Sequence, residues 1–178
     1  MKAVVYREYA PDDDYAKILK VEDIDDPKPK ADEVIFTNKA SALNYNDIWG
    51  MRGVPIPVPL PHVSGSDVAG DVIAVGEDVK GFKVGDRAVS HSNLACRVCE
   101  MCTAGREFDC AKRQVWGFQT GNLEGAYSEQ IHLPEVNVSK IPEGVSYDEA
   151  AAASMTILTS WHMLVGRAKI TPGQTVLI

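Results

Sequence analysis

The sequence predicts a mainly β fold with some helix: a small, partly open barrel, followed by a helical segment. Three observations carry that prediction. Short apolar runs separated by Gly- and Pro-rich turns fill the stretch from Lys2 to Val89. Helical periodicity first takes over near Ser146. Between the two, all four cysteines crowd into the window Cys96–Cys110, which marks a compact lobe.

In chain order, Lys2–Tyr6 and Ile18–Val21 read as strands, the second followed by an acidic, Pro-punctuated segment. Glu33–Ala40 is a third, partly alternating strand. Pro occupies every second position from Pro55 to Pro61, which imposes an extended, non-helical path. Asp71–Gly76 and Arg87–Val89 continue the β pattern, with the turn Lys80–Arg87 feeding the latter. Ser146-Tyr147-Asp148-Glu149 is a capping box, so a helix is expected over 147–154. Ile157, Leu158, Trp161, Leu164 and Val165 recur at helical spacing and predict a second helix to about Gly166. After the turn Thr171-Pro172-Gly173, Gln174–Ile178 reads as an apolar strand. Such a strand resembles the first strand of a doubly wound α/β domain. The expectation is therefore an N-terminal part of a longer protein, the alternative being a natural edge strand. Residues 1–145 would form the β domain and 146–178 the linking helices and the start of a nucleotide-binding domain.

Composition narrows the function. The net charge is -7, from 18 basic and 25 acidic residues. A reader of phosphate backbones normally carries the opposite sign, so no nucleic-acid partner is expected. No apolar run reaches the ~18 residues that span a bilayer, and the N-terminus has no signal-peptide pattern, so the expectation is a cytoplasmic protein without a membrane partner.

The cysteine spacing is Cys96-x2-Cys99-x2-Cys102-x7-Cys110. Four soft thiolates that can converge on one ion suit zinc, and with all four positions filled by protein the site would be structural. An iron–sulfur cluster is the main rival, but the x7 interval and the missing Cys-Pro ending count against it. Disulfides would be spread to close longer loops.

These cysteines, the turn Gly65-Ser66-Asp67-Val68-Ala69-Gly70, the segment Gly125-Ala126-Tyr127-Ser128-Glu129 and the runs Glu149–Ala152 and Leu158–Trp161 resemble the medium-chain dehydrogenase/reductase superfamily. That superfamily includes zinc alcohol dehydrogenases, quinone oxidoreductases and enoyl-CoA reductases. The resemblance covers the whole chain and implies a GroES-like catalytic domain with a zinc lobe at about 91–113. It also implies a nucleotide-binding partner domain, NADP or NAD as cofactor, and a homo-oligomer at full length.

The zinc enzymes of this superfamily hold a second, catalytic metal with Cys, His and Cys. The matching positions here are Asn44, Ser66 and Met155. An amide, a hydroxyl and a thioether bind zinc poorly, so no catalytic zinc is expected. Of the histidines, His62 could reach towards Ser66 but reads as a half-exposed residue after Pro61, and His162 as a polar-face residue. Polarisation of a carbonyl must then come from hydrogen bonds, for which Asn44, Tyr45 and Ser66 are the catalytic candidates. Asn46, Trp49 and Met155 are the substrate-contacting candidates and Thr159 the cofactor-contacting one; Asp47 reads as a turn and cap residue. Leu43–Trp49 resembles the matching stretch of crotonyl-CoA and acryloyl-CoA reductases. The implied function is hydride transfer to an alkene conjugated to a carbonyl, in a small-molecule substrate such as an enoyl thioester or quinone. The alternatives are a zinc-dependent alcohol dehydrogenase and a non-catalytic GroES-like module.

Overall fold

The structure is a computed structural model that describes residues 1–121 and 123–177. In chain order it contains β1 (Lys2–Tyr6), α1 (Tyr15–Ile18), β2 (Lys20–Asp23), β3 (Glu33–Thr37), β4 (Ala40–Ala42), α2 (Tyr45–Arg52), β5 (His62–Val63) and β6 (Asp67–Val75). There follow β7 (Arg87–Ser90), β8 (Asn93–Leu94), α3 (Glu100–Thr103), β9 (Gln114–Val115), β10 (Gln130–Pro134), β11 (Val138–Lys140) and α4 (Tyr147–Trp161). The helix then widens into a π-helical turn, His162–Arg167.

The main sheet runs β10-β3-β6-β7-β11, with β4 also paired to β6; β2-β1-β5 form a second sheet and β8-β9 a third. β6 organises the barrel. Its Val72–Val75 half pairs with β3, its Asp67–Ala69 half pairs with β4, and Ala69–Asp71 pairs with β7 on the other edge. The chain passes from β3 to β4 at Asn38 and Lys39, where Lys39 N–H donates to the Ala69 carbonyl at 2.9 Å. Gly70 sits at this corner because a Cβ there would lie 1.6 Å from the Thr37 carbonyl oxygen. The expected strand 33–40 is thus two strands with a corner between them. Val34, Phe36, Val68, Val72, Trp116, Ile131 and Leu133 fill the barrel interior.

The expected strand at 18–21 is corrected. Tyr15 and Ile18, three apart, turn into an apolar cluster with Tyr6, Met51 and Phe118 as a short helix, and pairing with β1 starts at Lys20. The two expected helices after Ser146 are one. The capping box forms, with Ser146 N–H donating to Glu149 Oε2 at 2.8 Å. The helix continues through the expected break because Ser154 Oγ donates to the Ser90 carbonyl (2.6 Å) and Thr156 Oγ1 to the Ala152 carbonyl (2.7 Å), so neither hydroxyl competes with the helix. Ala150 and Ala151 pack this helix onto Ala69 and Ile141. Residues 174–177 are not a strand, since no neighbouring strand pairs with them among the described residues; Ile178 lies outside the described residues. No helix of the described residues is long and apolar enough to cross a membrane.

Candidate active site and metal centre

α2 begins at Asn44, whose extended backbone turns the chain into the helix. Asp47 secures that start. Its carboxylate accepts from Asn44 N–H (2.8 Å), Gly65 N–H (3.1 Å) and the Tyr127 hydroxyl (2.7 Å). Gly65 itself stands at φ +102°, and a Cβ would meet Ala126 at 2.8 Å. Asp47 is therefore a buried positioning group, and burial pushes its carboxyl upward.

Helical geometry then sorts the candidate residues. Asn46 and Trp49, three apart, share a face and line a cavity of about 800 Å3. Met155 and Thr159, four apart on α4, face the same cavity. Ser66 is fully buried behind Asn46: it accepts from Asn46 Nδ2 at 3.1 Å and donates to the Trp116 carbonyl at 2.9 Å. Asn46 Oδ1 is buried with no hydrogen-bond partner among the described residues.

Asn44 and Tyr45, expected beside Ser66 in the cleft, line a different hollow of about 420 Å3 with Leu43, Ile48 and Tyr127. The Tyr45 ring is 61% exposed, packs edge-on against Trp49 at 5.5 Å, and its hydroxyl accepts from Arg52 Nη1 at 3.4 Å. The reason is the 100° step between successive helical residues, which sends Tyr45 and Asn46 to different sides. The Asn44 side chain is committed elsewhere: Nδ2 donates to Asp67 Oδ2 at 2.9 Å.

Asp67 is a site residue that the sequence shows only as part of the turn Gly65–Gly70. Fully buried, it accepts from Asn44 and from the Met155 N–H (3.1 Å), so it draws the positions Asn44, Ser66 and Met155 together. Burial raises its carboxyl, and hydrogen bonds from Asn44, Ser154 and Met155 oppose that rise. The assembled donors are an amide engaged with a carboxylate, a hydroxyl engaged with a carbonyl, and a thioether. That set does not fit a catalytic zinc, which takes thiolate, imidazole and carboxylate ligands.

The histidines do not restore one. His62, expected half-exposed, is 1% exposed; its ring lies 5.3 Å from Tyr6 and Nε2 3.3 Å from the Gly117 carbonyl oxygen. The apolar cluster behind β1 has absorbed it. His91 is bonded to Asn137, and burial lowers it. His132 meets Glu33 at 3.3 Å, while His162 packs on Phe108 with ring centres 4.3 Å apart.

The four cysteines do form a cluster. Their sulfurs all lie within 4.8 Å of one another, and among the described residues this is the one group of three or more His, Cys, Asp or Glu side chains so placed. Cys99–Cys102 and Cys96–Cys102 are 3.5 and 3.9 Å apart. A tetrahedron with metal–sulfur bonds of about 2.3 Å has edges of about 3.8 Å, so a zinc-sized ion fits. The chain turns into this cluster at Arg97 (φ +62°), and Cys99 is the N-cap of α3. Backbone N–H groups of Val98 and Cys99 lower the Cys96 thiol to about 6, whereas burial and the neighbouring thiols raise Cys102 to about 12.

The alcohol dehydrogenase GroES-like domain model matches residues 30–143. The crotonyl-CoA carboxylase/reductase of Cereibacter sphaeroides is 32% identical over 168 residues, covering 90% of this chain and 38% of that protein. The acryloyl-coenzyme A reductase of Metallosphaera sedula is 31% identical over 178 residues, covering 100% of this chain and 51% of that protein. A crystal structure of an NAD-dependent alcohol dehydrogenase superposes with a TM-score of 0.88 at 41% identity, covering 97% of this chain and 49% of that one. The chain spans about half the length of these relatives, or less.

Proposed function

The chain belongs to the alcohol dehydrogenase GroES-like domain family, and from that premise we propose that it forms the substrate-binding part of a cytoplasmic NAD(P)H-dependent reductase of conjugated alkenes, with one structural zinc and no catalytic zinc. A nicotinamide bound against Thr159 would supply the hydride to the β-carbon of the substrate. Cys96, Cys99, Cys102 and Cys110 would hold the zinc, which would order the lobe that walls the cavity.

The observation that carries the reading is the donor set. Where metal ligands would stand, Asn44, Ser66 and Met155 are bound into an internal network through Asp67 and Trp116. What faces the cavity is Asn46. One of its amide hydrogens goes to Ser66, which leaves the other for an oxygen on the substrate. Negative charge spread over an enolate can be met by such neutral donors, whereas the concentrated charge of an alkoxide is met poorly. Trp49, Phe118 and Leu158 supply apolar walls for the alkene end. Ser66 and Asp67 act behind Asn46 as positioning residues. The 41% identity to an alcohol dehydrogenase favours carbonyl reduction as the second reading.

The test is oxidation of NAD(P)H by the complete protein with crotonyl-CoA, a quinone and a small aldehyde in parallel. Asn46→Ala should lower turnover of the alkene about a hundredfold, the scale of one lost oxyanion donor. Tyr45→Phe, on the other hollow, should change it by less than about threefold. Aldehyde reduction that a chelator abolishes at once would replace this reading with the metal-dependent alcohol dehydrogenase.

A further inference from the structure

The cavity is not uniformly apolar. The part of its lining drawn from the cysteine lobe and the π-helical turn carries Arg97, Arg113 and Arg167 in a chain whose net charge is -7. Two acidic residues, Glu107 and Asp109, share that part, and both are committed. Glu107 pairs with Arg97 at 3.1 Å, and Asp109 pairs with Arg106 from outside the cavity. Arg97 is further tied to Asn137 Oδ1 at 3.5 Å. Among the described residues, that leaves Arg113 and Arg167 with no carboxylate within salt-bridge distance.

Arg167 is also held in place. Its guanidinium lies over the Phe108 ring at 5.0 Å, and His162 packs on the same ring at 4.3 Å. An arginine fixed on an aromatic face keeps its planar fork of donors available for an anion, with less side-chain freedom to lose on binding.

We infer that this cavity takes a substrate with an apolar reducible end, seated by Asn46 and Trp49, and an anionic far end, a phosphate or carboxylate, held by Arg113 and Arg167. The inference deepens the proposed alkene reduction and rests on it for the identity of the reducible end. A cavity of about 800 Å3 lies within the range of small-molecule sites and has room for both ends. The phosphates of the nicotinamide cofactor are the other source of such an anion, and the experiment separates the two.

Arg113→Ala and Arg167→Ala are made in the complete protein, with Lys112→Ala as the control, since Lys112 neighbours Arg113 but does not line the cavity. Three quantities are measured: KM for crotonyl-CoA, KM for an uncharged enone such as cyclohexenone, and KM for the reduced cofactor. Free coenzyme A is also titrated by calorimetry, which needs no turnover. Each arginine variant should raise KM for crotonyl-CoA and the Kd of coenzyme A about tenfold, the scale of one hydrogen-bonded charge. The enone and cofactor KM values should stay within about twofold, and Lys112→Ala should change nothing. Equal losses with thioester and enone, no loss with either, or a rise confined to the cofactor KM each overturn the inference. If no alkene is reduced but coenzyme A binding still depends on both arginines, the alkene reading falls and the anion site stands.

Discussion

Replacing Cys99 with Ser should weaken metal binding at the cysteine cluster and loosen one wall of the cavity while leaving the barrel folded. Structural zinc in small sites carries on the order of 10–16 kcal/mol of binding free energy, roughly 3 kcal/mol per thiolate if shared evenly. A serine hydroxyl keeps its proton at neutral pH and sits closer to the backbone than sulfur, so most of that share is lost, about a hundredfold in zinc affinity. Apart from the Phe108 stack and the Arg97–Glu107 pair, the lobe has little else to hold it: Val98 is 80% exposed, and its buried apolar groups are the proposed ligands Cys102 and Cys110 themselves. The barrel core of Val34, Phe36, Val68, Val72 and Leu133 draws on no cysteine. After dialysis against a chelator that the parent withstands, elemental analysis should therefore fall from one zinc per chain towards none. Limited proteolysis should gain cuts between Ala95 and Lys112, with thermal unfolding of the remainder within a few degrees of the parent. A zinc-free variant with an unchanged cleavage pattern would refute the reasoning, because the lobe would then be ordered by its own contacts.

Two further predictions concern the barrel corner. Burial raises the Asp67 carboxyl above its ordinary value of 3.8, so the folded state holds that proton more tightly than the unfolded chain. The stability contributed by Asp67 is then fully present below that ordinary value and is lost as pH rises through the raised one. The stability of the parent minus that of Asp67→Asn, from urea melts, should fall as pH rises from 3.8 towards neutrality; a flat difference would show that Asp67 ionises freely. Gly70→Ala places a Cβ 1.6 Å from the Thr37 carbonyl oxygen, where only backbone can yield. It should cost about 3 kcal/mol or more in denaturant midpoints, whereas Gly121→Ala, 3.3 Å from the Pro59 side chain, should be mild.

Local signals in the sequence carried much of the fold. The strand Lys2–Tyr6 and the Ser146–Glu149 cap depend on neighbours a few residues away, and both stand where the sequence placed them. The cysteine spacing likewise sufficed, because the lobe closes over a short stretch of chain. What the sequence hid was set by distant partners. His62 is buried by Tyr6, fifty-six positions earlier, and no local pattern shows that. Asn44 and Asn46 are chemically the same residue, and only the helix phase relative to Asp67 and Ser66 decides which faces the cavity. The single helix through Ser154 and Thr156 was hidden because their hydroxyls are satisfied by Ser90 and Ala152 carbonyls. Arg113 and Arg167 stand far apart in sequence and share only the lining of the cavity.

A barrel that stays partly open has strand edges, and here three of the outer strands are unsuited to recruiting another chain. β2, at the rim of the second sheet, carries Lys20, Glu22 and Asp23 in its four residues. β10, at one rim of the main sheet, ends in Pro134, which has no amide hydrogen to offer. β11, at the other rim, is three residues long and ends in Lys140, whose ammonium is bound to Asp86 at 2.9 Å. Charge, proline and shortness are the devices that keep exposed edges from templating aggregation. Copies of this domain that associate are therefore steered away from adding strands at β2, β10 and β11 and towards side-chain surfaces.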